Sequence, residues 1–331
     1  MATLGHATCD EQLDRAAQDV FGPGTRLQTL GLLSGGASRR LMRADAIAPD
    51  GERHPLVISE RPGHLPVFGR SSGEYLGMTV ARLANIPSPQ PYAEVPAPDG
   101  GEPRVMMSFV RGESRARRIL SDSRYEAVRA SLASEVAAAA ARLHSVALAD
   151  VGLQGVGTDV AATAIGELEQ MLDRVGEPHP ALEAGLRLLR RTTPAPSRAN
   201  ALLHGDLRLG NMLVDERGLT ALIDWELCHV GDPAEDLGWI CARSWRFGAD
   251  ERPALGLDTR ERLLQAYEAA GGTPVSLVEL RWWEAYANAR WAAVCIVQAD
   301  RHLSGAEQSL ELAAIGRRSC EAEWDLLAAV G

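Results

Sequence analysis

The pattern of hydrophobic and polar positions changes near residue 110, from short apolar runs to helical spacing. In the first part, three apolar runs predict strands: Leu30–Leu33, Pro55–Ile58 and Val105–Val110. Arg70–Ala84 has apolar positions near a 3.6-residue period, which predicts one helix. Pro87, Pro89 and Pro91 should end that helix and exclude a central strand, because proline lacks the amide that a ladder needs.

The second part is predicted to be mostly helical around one β-hairpin. Apolar residues at steps of three and four predict helices over three ranges: Glu126–Leu148, Ala161–Arg174 and Ala181–Arg191. Met212–Val214 and Leu219–Ile223 flank a short polar turn and predict the hairpin. Asp232 before Pro233 predicts the start of another helix, with the aspartate as its N-cap. The pattern indicates an α+β protein.

Composition and charge narrow the classes of partner. The 331 residues are 46% hydrophobic and 24% charged, which suits a globular chain with two lobes. The net charge of −10 argues against a nucleic acid or an anionic membrane surface as partner. No run approaches the length of apolar sequence that spans a bilayer, so we expect no membrane segment.

Cysteine usage and the first residues predict a cytoplasmic protein. The five cysteines are widely spaced and form no Cys-x-x-Cys pair, so we expect neither a disulfide framework nor a zinc site. Residues 1–21 have no basic start and no apolar core, and therefore no signal peptide is expected. Reduced thiols in a cytoplasmic compartment fit these observations.

The stretch Leu203–Asp236 carries the most specific chemical pattern. It holds Asp206, then Asn211 and Asp224, in the turns around the predicted hairpin. This is the layout of a phosphoryl-transfer site of the protein-kinase type, where one Asp accepts the proton of the substrate hydroxyl and an Asn and a second Asp bind Mg²⁺. Each of the three alone could merely cap a turn. Together, at this spacing, they predict the site of a kinase.

The absence of lysine changes the expected phosphate contacts. All 34 basic residues are arginine, so a Walker A loop is impossible and the usual strand lysine of kinases is missing. Codon usage that favours arginine explains the bias, but its chemical consequence remains. An arginine would have to bind the nucleotide phosphates.

HGDLRLGN, followed by LIDWE and GDPAEDL, resembles the aminoglycoside phosphotransferase family, small-molecule relatives of protein kinases. The resemblance is greatest to a branch that includes kinase domains associated with acyl-CoA dehydrogenases. It implies a bilobal protein-kinase-like fold, with a β-rich nucleotide-binding lobe over 1–108, a hinge at 109–113 and a helical lobe over 114–331. By this resemblance Asp206 is the catalytic base, and Asn211 and Asp224 bind Mg²⁺. Four residues of the same stretch are expected to support them: His204, Arg208, Glu226 and Asp236.

The resemblance also implies a nucleotide site for ATP or GTP. Its candidate residues are Gly35, Gly36, Ala37, Ser38, Arg61, Glu74, Ser108 and Val110. The glycines would allow close approach of the backbone to phosphate. Glu74 would pair with the nucleotide-binding cation, and Ser108 and Val110 would contact adenine through their backbones. Ser59 stands where the family carries a cation, so Arg61, two residues on along the same strand face, is the expected replacement.

The acceptor is expected to be a small molecule with a hydroxyl group. All seven tryptophans follow residue 224, and the candidate substrate residues are Trp245, Arg246, Trp283 and Arg290. Apolar walls with arginine suit an acyl chain or an anion, whereas a polycationic aminoglycoside would favour clustered carboxylates. The resemblance implies a hydroxyacyl-CoA thioester as one acceptor class. The alternative role of the tryptophans is to pack the core.

Three other functions compete with this interpretation. Gly69–Gly73 fits the G-x-S-x-G elbow of α/β-hydrolases around Ser71, but Pro66 interrupts the strand that should precede it. The missing lysine allows a pseudokinase that binds a nucleotide or ligand with little turnover. A choline- or homoserine-type kinase would share the architecture and differ in its acceptor.

Overall fold

The computed structural model describes residues 10–33, 39–61, 73–98, 100–195 and 200–330. The chain divides into two compact units, one formed by Met1–Val67 with Pro89–Val110 and the other by Phe68–Ser88 with Arg111–Gly331. The sequence assigned the helix Glu74–Leu83 to the lobe of residues 1–108, but in the structure this helix belongs to the second unit. There Gly77 of this helix lies so close to Trp225 and Cys228 that a Cβ would fall 2.9 Å from the Trp225 ring.

The first unit consists of one helix and a five-stranded antiparallel sheet. Its elements are α1 (Glu11–Phe21), β1 (Arg26–Leu33), β2 (Arg40–Ile47), β3 (Arg53–Glu60), β4 (Pro91–Val95) and β5 (Arg104–Ser108). The strand order is β1-β2-β3-β5-β4. Leu13 and Ala17 of α1 pack on alternate residues of the strands, such as Leu56 and Ile58, and form the core of this unit.

The predicted strands of the first unit are confirmed, whereas α1, β2 and β4 were not predicted from the sequence. Strands β1, β3 and β5 contain the three apolar runs, although β5 ends at Ser108. Strand β4 begins at Pro91, within the proline-rich segment. It lies at the edge of the sheet, where a strand tolerates a missing amide. The exclusion of a central strand there is therefore correct.

The second unit is mainly helical. Its helices are α2 (Glu74–Leu83), α3 (Ala116–Ser121), α4 (Glu126–Arg129), α5 (Leu132–His144), α6 (Val160–Val175), α7 (Pro180–Arg191), α8 (Pro233–Cys241), α9 (Arg260–Ala269), α10 (Leu277–Leu303), α11 (Leu310–Gly316) and α12 (Ser319–Val330). Its strands are β6 (Ala201–Leu203), β7 (Met212–Asp215), β8 (Gly218–Leu222) and β9 (His229–Gly231). The α+β fold class is thus confirmed.

One predicted helix is broken in the structure. Glu126–Leu148 was expected to be continuous, but it forms α4 and α5 with a tighter turn between them. The amides of Ala130 and Ser131 donate to carbonyls three residues earlier, as in a 3₁₀ turn. The apolar spacing continues across this break, which is why the sequence pattern did not reveal it.

Local sequence signals set the elements around the candidate site. Strands β7 and β8 pair as the predicted hairpin, with Met212 opposite Leu222. The Asp232 side chain accepts the Ala234 amide and begins α8, as expected of an N-cap. Helix α10, 27 residues long, begins with a capping box between Ser276 and Glu279. Within the described part of the chain, none of the helices combines the length and apolar character needed to cross a bilayer.

Candidate active site

Asp206 lies in the loop after β6, and its carboxylate is surrounded by hydrogen-bond donors. Trp239 Nε1 donates to Oδ1 at 2.7 Å, and Asn211 Nδ2 donates to Oδ2 at 2.5 Å. Arg208 Nε contacts both oxygens, at 3.1 and 3.2 Å. The residue is only 9% exposed. Donors on both oxygens hold a carboxylate in one orientation.

Asp236 of α8 anchors the backbone of the same loop. Its carboxylate accepts the amides of His204 and Gly205 at 2.8 and 2.9 Å, and contacts His144 Nε2 at 3.1 Å. Burial by itself would raise the pKa of Asp236, but the hydrogen bond and charge of His144, assisted by His204, outweigh it and lower this pKa to about 2. His144 is in turn held in place by Tyr267, whose Oη lies 2.9 Å from His144 Nδ1.

His204 ties the loop to the end of the hairpin. The Asp206 amide donates to His204 Nδ1 at 3.2 Å, so Nε2 carries the proton and donates to the Ile223 carbonyl at 3.1 Å. Burial lowers the pKa of His204, which favours this neutral form. Gly205, between them, has φ 81°, and a Cβ there would lie 2.2 Å from the Leu227 carbonyl oxygen. Only glycine fits this position.

Asp224 lies one residue beyond the hairpin neighbour Ile223, in a left-handed backbone conformation with φ 65°. Burial raises its pKa well above the usual range, and the negative charges of Glu226, Asp206 and Glu74 raise it further. Its carboxylate therefore lies among acidic groups, whose repulsion together with burial outweighs the lowering effect of the Arg208 charge. A cation would remove this electrostatic penalty.

Asn211 connects the two halves of the motif. Its backbone carbonyl accepts the Ile223 amide at 3.0 Å, while its side-chain amide donates to Asp206. With the nitrogen so engaged, Oδ1 remains as a neutral oxygen ligand. Oxygen donors of this kind, next to a strongly acidic environment, fit Mg²⁺. Among the described residues, no group of three or more His, Cys, Asp or Glu side chains forms a metal cluster by itself.

In the first unit, Arg61 is buried against an acidic partner. Its side chain is 3% exposed, and Nη1 lies 3.3 Å from Glu102 Oε1. Arg39, which the sequence analysis did not single out, contacts the same carboxylate at 3.2 Å and Ser59 Oγ at 3.5 Å. Two arginines thus lie around the position where the family carries a cation. Gly35–Ser38 and Ser71 are outside the described residues.

The expected hinge residues lie at the end of β5. Ser108 exchanges hydrogen bonds with Gln90: its amide donates to the Gln90 carbonyl at 2.9 Å, and its hydroxyl accepts the Gln90 amide at 2.8 Å. The Phe109 amide donates to Pro55. No hydrogen bond engages the Val110 amide within the described ranges, so it can donate to a ligand.

The four candidate substrate residues lie in different environments. Trp245 is buried beside the loop, with the Arg208 guanidinium 5.1 Å from its ring centroid. Arg290 donates to the Gly205 carbonyl at 2.8 Å. By contrast, Trp283 is 1% exposed in the core and Arg246 is bound by Glu284 and the Cys241 carbonyl. The structure places these last two in packing rather than on a surface that a substrate could reach.

Trp239 is the residue next to Asp206 that the sequence analysis missed. It was counted only among the tryptophans that follow residue 224. One signal was available: Trp239 follows Asp236 by three residues on α8, so both side chains face the same way. Which partner that face meets depends on tertiary packing.

The chain is similar to several known proteins. Over 104 residues it is 31% identical to acyl-CoA dehydrogenase family member 11 from Gallus gallus. This match covers 30% of this chain and 13% of the length of that protein. A Ralstonia eutropha JMP134 structure, classified as an aminoglycoside phosphotransferase, superposes with a TM-score of 0.74, 22% identity and 97% of both chains covered. A thermostable mutant of aminoglycoside phosphotransferase APH(4)-Ia, in ternary complex with AMP-PNP and hygromycin B, gives 0.61 with 16% identity, covering 96% of this chain and 97% of that one.

The solved structures, at these identities, establish the fold. The family rests on sequence: the model of the phosphotransferase enzyme family, APH, matches residues 74–295, which include α2, the Asp206 loop, the hairpin and most of α10. This agrees with the resemblance found in the motifs. The chain belongs to the phosphotransferase enzyme family.

Proposed function

We propose that the protein transfers the γ-phosphate of ATP or GTP to a hydroxyl group of a small molecule, with Asp206 as the catalytic base. The observation that carries this proposal is the pairing of Asp206 with Asn211 at 2.5 Å, in the same acidic neighbourhood as Asp224. Phosphoryl transfer needs positioning and charge neutralisation more than covalent chemistry. A buried carboxylate with a fixed orientation can orient the acceptor hydroxyl and receive its proton.

Asn211 and Asp224 would hold Mg²⁺, which would neutralise charge on the phosphate oxygens. Arg61 and Arg39 in the first unit are the proposed phosphate-binding cations in place of lysine, and the backbone amide of the half-buried Val110 is the proposed donor to adenine. Ser108, Glu74 and residues 35–38 complete the proposed nucleotide site. The AMP-PNP complex of APH(4)-Ia supports an adenine nucleotide.

The acceptor class is proposed from the charges around the Asp206 loop. Arg208 and Arg290 lie within the environment of the Asp206 loop, which disfavours a polycation and favours an acceptor with carbonyl or anionic groups. The match to an acyl-CoA dehydrogenase family member makes a hydroxyacyl-CoA a candidate to test. A choline- or homoserine-type acceptor would place a cationic amine in this environment.

The test is a screen for nucleotide consumption with Mg·ATP and Mg·GTP over aminoglycosides, macrolides, choline, homoserine and hydroxyacyl-CoA thioesters. Phosphorylated product should be identified by mass spectrometry. Asp206→Ala is the control and should abolish product formation. Product that persists in Asp206→Ala would refute the assignment of the base.

The pseudokinase is the second candidate, because Arg61 is engaged by Glu102 rather than free for phosphate. It predicts Mg²⁺-dependent nucleotide binding without phosphorylated product for any acceptor. Replacing Glu102 by Gln should then leave turnover absent. If Arg61 serves catalysis, the same change releases it and preserves or raises turnover.

A further inference from the structure

Two side chains of helix α8 contact the loop of residues 204–206, and each binds a different part of this loop. Asp236 binds the loop backbone at residues 204 and 205. Trp239, three positions later and therefore on the same face, binds the side chain of Asp206. We propose that Trp239 and Arg290 are positioning residues that set the orientation of the Asp206 carboxylate, an inference that rests on the proposed function.

The hydrogen bond from Trp239 distinguishes the two oxygens of Asp206. Oδ1 accepts the indole N–H at 2.7 Å, whereas Oδ2 accepts the Asn211 amide. Rotation of the carboxylate about its Cβ–Cγ bond would break both bonds. An indole is a rigid donor with only two side-chain torsions, so it holds this orientation at low entropic cost.

Arg290 of α10 holds both Trp239 and the loop. Its guanidinium carbon lies 4.6 Å from the Trp239 ring centroid, and Nη1 donates to the Gly205 carbonyl at 2.8 Å. Glu235 lies 3.8 Å from the same Nη1 and balances its charge. A planar cation can stack and donate at once, which lysine cannot reproduce. One side chain thus links the loop backbone to the ring that orients Asp206.

The close packing of α8 against α10 determines the position of the Trp239 ring. A Cβ on Gly238 would fall 2.5 Å from the carbonyl carbon of Trp283, so the two helix backbones are in close contact there. Trp239, which follows Gly238, is 4% exposed and packs with Ala242, Trp245 and Ala287. Because the ring is packed on all these sides, it has one position from which to donate.

The kinetic test uses Trp239→Phe, which keeps an aromatic ring but removes the N–H donor together with part of the indole. With the acceptor found in the screen, kcat should fall about 10- to 100-fold while KM for the nucleotide stays the same, as expected for a small misplacement of a reacting group. Arg290→Lys should give a smaller loss of the same kind. A kcat within twofold of the wild type for Trp239→Phe would overturn the proposal.

Trp282→Phe is the matched control. Trp282 is also buried, and its indole donates to the Leu189 carbonyl at 3.1 Å. This variant loses the same part of an indole and a hydrogen bond to α7 rather than to the loop, so its melting temperature should fall as much as that of Trp239→Phe while its kcat is retained. Equal kcat losses in both variants would indicate a merely structural role.

A second measurement needs no turnover and so separates this proposal from the proposed function. In ¹⁵N-labelled protein, the indole signal of Trp239 is identified by its absence in Trp239→Phe. Asp206→Asn should shift that signal, because the donor loses a charged acceptor, and should leave the Trp282 signal in place. If no acceptor is ever phosphorylated but the signal shifts, the proposed function fails and the positioning contact stands. An unmoved signal refutes the contact.

Discussion

Asp206 and Asp224 carry the same functional group in opposite environments. The carboxylate of Asp206 receives donors from Trp239, Arg208 and Asn211. That of Asp224 is surrounded by the negative charges of Glu226, Asp206 and Glu74, and its pKa is raised well above the ordinary range by burial and by this repulsion. The fold thus surrounds the first aspartate with hydrogen-bond donors and places the second among acidic groups.

The difference supports the different tasks that we propose for the two aspartates. A base must be ionised and correctly oriented before the substrate arrives, so its donors are supplied by the fold. A cation ligand gains most when its charge is uncompensated beforehand, because the cation then relieves repulsion as well as forming bonds.

The largest expected effects, on kcat and on nucleotide binding, come from removing the carboxylate charges of Asp206 and Asp224 in separate variants. Asp206→Asn should lower kcat about 10²- to 10⁴-fold, the usual contribution of a general base, and leave binding of the Mg²⁺–nucleotide complex within a few-fold. Asp224→Asn should instead remove the Mg²⁺-dependent part of nucleotide binding. Steady-state kinetics and calorimetric titration with Mg·AMP-PNP measure the two effects. Equal losses of nucleotide affinity in both variants would break the comparison.

An intermediate effect is expected on the pH dependence of metal binding. Because the pKa of Asp224 is raised, its carboxyl must lose a proton before it can bind Mg²⁺, so affinity should rise with pH by up to about tenfold per unit below that pKa. Glu226→Gln removes one of the repelling charges and should move this dependence to lower pH. Calorimetry with Mg·AMP-PNP at several pH values provides the curve.

The nucleotide itself also releases protons on binding Mg²⁺, but it does so equally with the wild type and with Glu226→Gln. The difference between the two pH curves therefore reports the titration of Asp224 alone. Identical pH curves for the two would contradict the assignment.

The smallest expected effect is that of Asp224→Asn on the free energy of unfolding in the absence of metal. Since the folded-state pKa of Asp224 lies above its ordinary value of 3.8, ionisation costs the folded protein stability as the pH rises through this interval. In EDTA at neutral pH, Asp224→Asn should raise the free energy of unfolding by about 1 kcal/mol, and the gain should vanish as the pH falls below 3.8. Asp206→Asn should show no gain, because it takes a charged acceptor away from the donors of Trp239, Arg208 and Asn211. Urea denaturation at both pH values measures the changes.

Local signals in the sequence determined a large part of this protein. The strands with apolar runs, the hairpin Met212–Leu222, the N-cap at Asp232 and the family followed from spacing and residue type, because these features depend on neighbours along the chain. The spacing of Asp206, Asn211 and Asp224 also identified the candidate chemistry. Strand β4 was missed, because its edge position, which tolerates proline, depends on the rest of the sheet.

Only the tertiary structure decided which groups surround each aspartate. The donor from Trp239 lies 33 residues from Asp206, and the Arg290 contact joins residues 85 apart. Both depend on how closely α8 packs against α10, which periodicity along one helix cannot define. Trp283 and Arg290 lie seven residues apart on the same helix, yet one packs the core and the other holds the loop. The sequence supplies the reactive groups, and packing determines their electrostatic surroundings.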